Sequence, residues 1–127
     1  MLLDTSTPIC RLTLVDEAGL IYDSQWESGR ELAKGLLDYM KQQLAMRHKT
    51  WDDISAIGVF QGPGSFTGLR IGMTVLNTIA RDKTIPIVAE IGDDWQEKAV
   101  RRLEAGENDE VALPFYGADA NITKPRK

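Results

Sequence analysis

The sequence predicts a mixed α/β domain whose sheet begins antiparallel, continues parallel and carries helices packed on it. Three observations lead there. Two strand-like segments flank the turn Asp16-Glu17-Ala18-Gly19, and apolar β-rich runs at 54–60 and 85–89 alternate with amphipathic stretches. A glycine-rich turn, Gly62-Pro63-Gly64-Ser65-Phe66-Thr67-Gly68-Leu69-Arg70-Ile71-Gly72, joins the first of those runs to a helical pattern, a junction at which α/β proteins place ligand-facing loops.

Taken in order, Leu2 and Leu3 start a short strand, and Asp4-Thr5-Ser6-Thr7-Pro8 follows as a polar turn rich in acceptors. Strand pattern resumes from Cys10 to Val15 and returns through Leu20-Ile21-Tyr22-Asp23-Ser24 as an antiparallel partner. From 30 to about 46, Ala33, Leu36, Leu37, Met40 and Leu44 form one helical stripe, with Leu32, Gly35 and Tyr39 on a neighbouring face. After the polar turn Thr50-Trp51-Asp52-Asp53, the strand at 54–60 ends near Gln61, where Gly62-Pro63-Gly64 breaks it, and Ser65 or Thr67 caps the next helix. In that helix Leu69, Gly72, Met73, Leu76 and Ile79 or Ala80 form one stripe, and Ile71, Val75 and Thr78 another. A helix on a sheet needs one such face, so the second must be covered by another helix or by a partner. Residues 85–89 read as a strand with Pro86 among its first positions, and Asp93-Asp94-Trp95 opens a short helix to about Ala105, acidic at the end its dipole favours. Val111 to Tyr116 read as a last strand that Pro114 pushes to an edge.

A chain of 127 residues suits one domain, here residues 1–112, followed by a C-terminal strand and tail at 113–127. No apolar run approaches the roughly 20 residues that span a bilayer, and Met1-Leu2-Leu3-Asp4 lacks the features of a secretory signal. The expectation is a cytoplasmic protein without membrane contact. A net charge of −4 excludes a broad basic face, so any RNA contact requires a partner, although the tail Lys124-Pro125-Arg126-Lys127 is locally basic. Cys10 is the sole cysteine and reads as a small buried residue; His48 is the sole histidine, so no zinc-ligand spacing exists and no metal site is expected. No catalytic dyad is visible, because Asp4 and Glu90 are lone carboxylates at strand ends. The glycine turn lacks the Lys-Ser/Thr ending of a P-loop and the spacing of the dinucleotide fingerprint. Backbone donors at the start of its helix can still face an anion, and the candidate phosphate- or nucleotide-facing set, taken from this turn and the first polar turn, is Asp4, Thr5, Ser6, Gly64, Ser65 and Arg70.

Leu3-Asp4-Thr5-Ser6-Thr7, Arg30-Glu31-Leu32 and the glycine motif from Gly62 to Gly72 resemble one family, the bacterial tRNA threonylcarbamoyladenosine biosynthesis proteins TsaB, or YeaZ. The resemblance covers about Leu2 to Glu90 and implies an RNase H-like domain of the actin-like ATPase superfold. It implies a non-catalytic scaffold that docks through its two main helices on the kinase-like transferase subunit TsaD, with a TsaE-like ATPase completing the complex and tRNA bound only by the whole. A homodimer through the same helices is the alternative state, and an ATP-binding enzyme of the superfold the alternative function. No cofactor is expected to be held tightly by this chain, with ATP and Mg at the partner interface. The docking face expected on these helices is Leu32, Leu36, Tyr39, Leu69, Gly72, Met73, Leu76 and Ala80. The chain departs from the family in carrying Ser28 where relatives often have histidine and in lacking most of a second α/β domain, although 113–125 resembles the family's last residues. A minimal form with an internal deletion is the expectation.

Overall fold

The computed structural model describes residues 1–116. Five strands, β1 (Leu2–Asp4), β2 (Ile9–Val15), β3 (Ile21–Glu27), β4 (Ile57–Phe60) and β5 (Ile87–Glu90), form one sheet in the order β3-β2-β1-β4-β5. β1 pairs antiparallel with β2, with Leu3 opposite Leu12, and parallel with β4, with Leu3 beside Val59. β2–β3 is an antiparallel hairpin and β4–β5 a parallel pair. The antiparallel-then-parallel sheet predicted from the sequence is present, because a short polar turn allows a hairpin whereas the two parallel steps each need a crossover helix.

Those crossovers are α1 (Leu32–Met46) and α2 (Phe66–Lys83), and α3 (Trp95–Glu104) follows β5. Period-two alternation splits the central strands between two cores. Leu3, Cys10, Leu12, Ile57, Val59, Ile87 and Ala89 face α1 and α2, whereas Leu2 and Val88 face Trp95 and Ala99 of α3. No helix among the described residues is long and apolar enough to cross a membrane.

Several boundaries move for local reasons. The strand expected from 54 begins at Ile57, because Thr50 and Asp53 build a capping box around the 3-10 turn Trp51–Asp53 and Ile54 closes it. The strand expected from 85 begins at Ile87: the Ile85 N–H donates to Ala80 at the end of α2, and Pro86 has no N–H. A 3-10 turn, Gly29–Glu31, precedes α1, and the Ser28 hydroxyl donates to the Pro8 carbonyl at 3.2 Å.

Two readings are corrected. The stripe of α1 is rotated: Leu32, Leu36, Tyr39, Met40 and Leu44 are buried, while Ala33 is exposed and Leu37 is 54% exposed. The cause is the β2–β3 hairpin, whose Trp26 stacks on Tyr39 at 5.2 Å between centroids and whose Ser24 hydroxyl lies 2.6 Å from the Tyr39 hydroxyl. Nor do residues 111–116 form a strand. Pro114 cannot donate, and the segment instead bonds to side chains and loop backbone, as described below. The remaining tail expected at 117–127, with its three cations, lies outside the described residues.

Candidate functional site

The glycine loop is a junction between two backbones. The Ser65 N–H donates to the Ser6 carbonyl at 2.8 Å, and the Ser65 Oγ accepts the Gly68 N–H at 3.1 Å, capping α2. Thr5, 1% exposed, donates its hydroxyl to the Gly68 carbonyl at 2.7 Å. Asp4 Oδ1 accepts both the Ser6 N–H at 2.8 Å and the Ser6 hydroxyl at 2.6 Å. A Cβ at Gly64 would overlap Ser6; at Gly68 it would meet the Thr5 carbonyl, and at Gly72 the Thr5 hydroxyl. The glycines therefore let the first turns of α2 lie directly on the exit of β1, and this close approach accounts for their spacing.

Five of the six expected ligand-facing residues, Asp4, Thr5, Ser6, Gly64 and Ser65, are thus brought together, bonded largely to one another. Arg70 is not among them. It lies one turn further along α2 with its guanidinium 5.1 Å over the Phe66 ring, and Phe66 packs on Tyr116 at 4.7 Å. Beside the loop, Asp4, Ser6, Phe60, Pro63, Gly92, Asp93 and Trp95 line a shallow cleft of about 460 Å³. Among the described residues a phosphate entering it would face two carboxylates and no lining cation, so this lining does not fit a bare phosphate.

All eight residues expected on the docking face lie in the chain's own core. Leu36 and Leu76 are fully buried, and Leu32, Tyr39, Leu69, Gly72, Met73 and Ala80 are buried beside them. Of the two stripes on α2, the sheet takes the one containing Met73 because its glycines fit against Thr5. What α1 and α2 turn outward is the other pair of ridges. Ala33, Thr67, Arg70, Ile71, Thr74 and Val75 line a groove of about 340 Å³, with Leu37 one turn beyond Ala33. α3 packs on the opposite face of the sheet and covers none of it. Part of the signal for this face is in the sequence: Ile71, Val75 and Thr78 read as a second stripe of α2, whereas Ala33 and Leu37 read as part of the main stripe of α1 and share only the i, i+4 spacing of a ridge.

Cys10 has the environment of a structural thiol. It is fully buried, and burial together with the Asp4 carboxylate pushes its pKa up to about 12. Among the described residues no group of three or more potential ligands could hold a metal ion.

A family model described as TsaD, tRNA N6-adenosine threonylcarbamoyltransferase, matches residues 27–90, half of the chain. The tRNA threonylcarbamoyladenosine biosynthesis protein TsaB of Buchnera aphidicola subsp. Baizongia pistaciae (strain Bp) is 30% identical over 88 residues, 69% of this chain and 39% of that protein. Its Escherichia coli (strain K12) counterpart is 29% identical over 87 residues, 68% of this chain and 37% of that protein. The chain belongs to this family, in its TsaB (YeaZ) branch. YeaZ from Pseudomonas aeruginosa superposes with a TM-score of 0.68 at 29% identity, covering 81% of this chain and 48% of that one. The fold is accordingly RNase H-like, of the actin-like ATPase superfold. The chain spans less than half the length of each of these relatives.

Proposed function

We propose that this chain is a non-catalytic scaffold subunit in tRNA N6-threonylcarbamoyladenosine formation, docking through α1 and α2 on a kinase-like TsaD subunit. The observation that carries this reading is the outward helix face. Ala33, Ile71 and Val75 line a largely apolar groove, with the exposed Leu37 one turn further along α1, that no other element among the described residues covers, and Arg70 stands at its rim without a carboxylate partner among those residues. Apolar ridges on a helix pair are what a second helix pair packs into. The docking helices are those expected from the sequence; the docking residues are the opposite ridges.

The bonding of Ser6 to Asp4 and Ser65, and of Thr5 to Gly68, supports a structural loop over a nucleotide loop, which leaves ATP and Mg to the partner side of the complex. A TsaE-like ATPase completes the assembly, and tRNA meets the whole of it. Self-pairing through the same groove is the second reading, favoured by the same uncovered ridges.

Co-purification with the cognate TsaD-type subunit, followed by assay of the tRNA modification with and without this chain, tests the proposal. Modification that requires the chain, and is lost with Val75→Asp, is the expected result. ATP turnover by the isolated chain, abolished by Asp4→Ala, would overturn the scaffold reading. Persistent monomers that ignore the TsaD-type subunit would overturn docking.

A further inference from the structure

The sheet ends at β5, yet β5 leaves no free edge. Pro86 and Glu90 turn their carbonyls toward β4, accepting from the Ile57 and Gln61 N–H groups, so Ile87 and Ala89 turn theirs outward. All four outward groups are paired, and none with a strand. The Ile87 N–H donates to Asn108 Oδ1 at 3.0 Å, and the Ile87 carbonyl accepts the Asp109 N–H at 2.8 Å. The Ala89 N–H donates to Asp109 Oδ2 at 2.9 Å, and the Ala89 carbonyl accepts from Arg102 Nη1 at 3.2 Å.

Side chains hold this substitute in place. Arg102 grips the Asp109 carboxylate with both Nη atoms, donates from Nε to Glu107 at 2.7 Å and reaches Glu90 at 3.2 Å. Burial alone would push the Asp109 carboxyl up, but its bonds from Arg102 and the Ala89 amide hold it below the usual carboxylate range. The chain then turns at Glu110, whose φ of 70° lies in the left-handed region, and its Ala112 exchanges two hydrogen bonds with the Asn77 side-chain amide, at 2.8 and 3.0 Å. Gln61 holds the next stretch, donating from Nε2 to Leu113 and accepting the Phe115 N–H at its carbonyl.

We infer that residues 107–113 are an edge clasp, which keeps β5 from pairing with the β5 edge of a second copy of this chain. The occupant follows from the edge itself. Set antiparallel about Val88, two copies place Ile87 opposite Ala89 in both directions, so the four outward groups of each copy meet four of the other. Glu90 then falls opposite Pro86, and no like charges face each other across the strands. An apolar, unpaired, self-matching edge is a template for association, and the clasp removes it.

The test uses the full chain with Asn108→Ala and Asp109→Ala, read by amide hydrogen exchange and by sedimentation velocity over a range of concentrations. The expected result is faster exchange, about tenfold or more, at Ile87 in the first variant and at Ala89 in the second, with the β4 amide of Val59 unchanged. Concentration-dependent dimers should accompany it. Unchanged exchange at both edge amides would overturn the clasp, and opened amides in a chain that stays single would overturn its protective role. Should Asp109→Ala fail to fold, Asn108→Ala with the Ile87 amide decides alone, since that change leaves the Arg102 network intact.

Discussion

Leu36 and Leu37 are neighbours of one residue type on one helix, and the structure gives them opposite surroundings. Leu36 is fully buried among α1, α2 and the sheet, whereas Leu37 is 54% exposed on the outer ridge. Truncating Leu36 to Ala removes a buried isobutyl group and leaves a cavity, for which about 3 kcal/mol is expected within the usual span of about 2–5 kcal/mol. At a urea slope of about 1.5 kcal/mol/M this moves the unfolding midpoint down by about 2 M. Truncating Leu37 withdraws less than half of a side chain's burial, and alanine's higher helix propensity offsets part of that, so a change below about 1 kcal/mol is expected. Docking should respond in reverse. Leu37→Asp would bury an unpaired charge in the helix interface at a cost of several kcal/mol, so affinity for the TsaD-type subunit should fall by about a hundredfold or more. Leu36→Ala, assayed where it remains folded, should keep its affinity. Urea titrations of both alanine variants and titration calorimetry of Leu37→Asp check the pair. Equal midpoint shifts for the two alanine variants, or full affinity in Leu37→Asp, would refute the assignment of faces.

Gly68→Ala should destabilise the fold more than Gly72→Ala, by about 1–3 kcal/mol against its wild type, because its methyl meets the Thr5 backbone carbonyl whereas that of Gly72 meets the Thr5 side chain, which yields by giving up its bond to the Gly68 carbonyl; thermal melts rank the two. The Asp109 carboxyl is held below its unfolded value of about 4, so its stabilisation is complete above that pH and is lost as pH falls through the lower folded value. The difference in urea midpoint between wild type and Asp109→Asn should accordingly shrink on acidification below about pH 4, and a difference constant down to pH 2 would contradict it. The Cys10 thiol, fully buried and pushed up to about 12, should resist a thiol reagent at neutral pH in the native protein and react at once in urea, with the colour change on labelling as the measure.

Topology was legible in the sequence because it rests on local signals: a short polar turn permits a hairpin, and helical spacing between two apolar runs demands a crossover. The position of the glycine loop was legible for the same reason, and of the two caps the sequence offers, Ser65 and Thr67, the structure uses Ser65. The reading of which helix faces meet the sheet failed at a definite point. Periodicity shows that α2 has two stripes, but the choice between them is made by Thr5, sixty-odd residues away, whose carbonyl and hydroxyl lie where only Gly68 and Gly72 leave room. In α1 the choice is made by Trp26 and Ser24, which draw Tyr39 inward and so turn Ala33 and Leu37 out. The loop residues misled in a similar way. Asp4, Ser6 and Ser65 have the right atoms for a phosphate, and the structure uses most of those atoms to join two backbones. A glycine-rich turn at a strand end therefore carries two meanings that sequence cannot separate, a cradle for a ligand or a seat for a helix. The nearest charges help to separate them: a cation in the cleft would reinforce the backbone donors of a cradle, and here, among the described residues, Arg70 stands at the groove between the helices while Asp4 and Asp93 line the cleft.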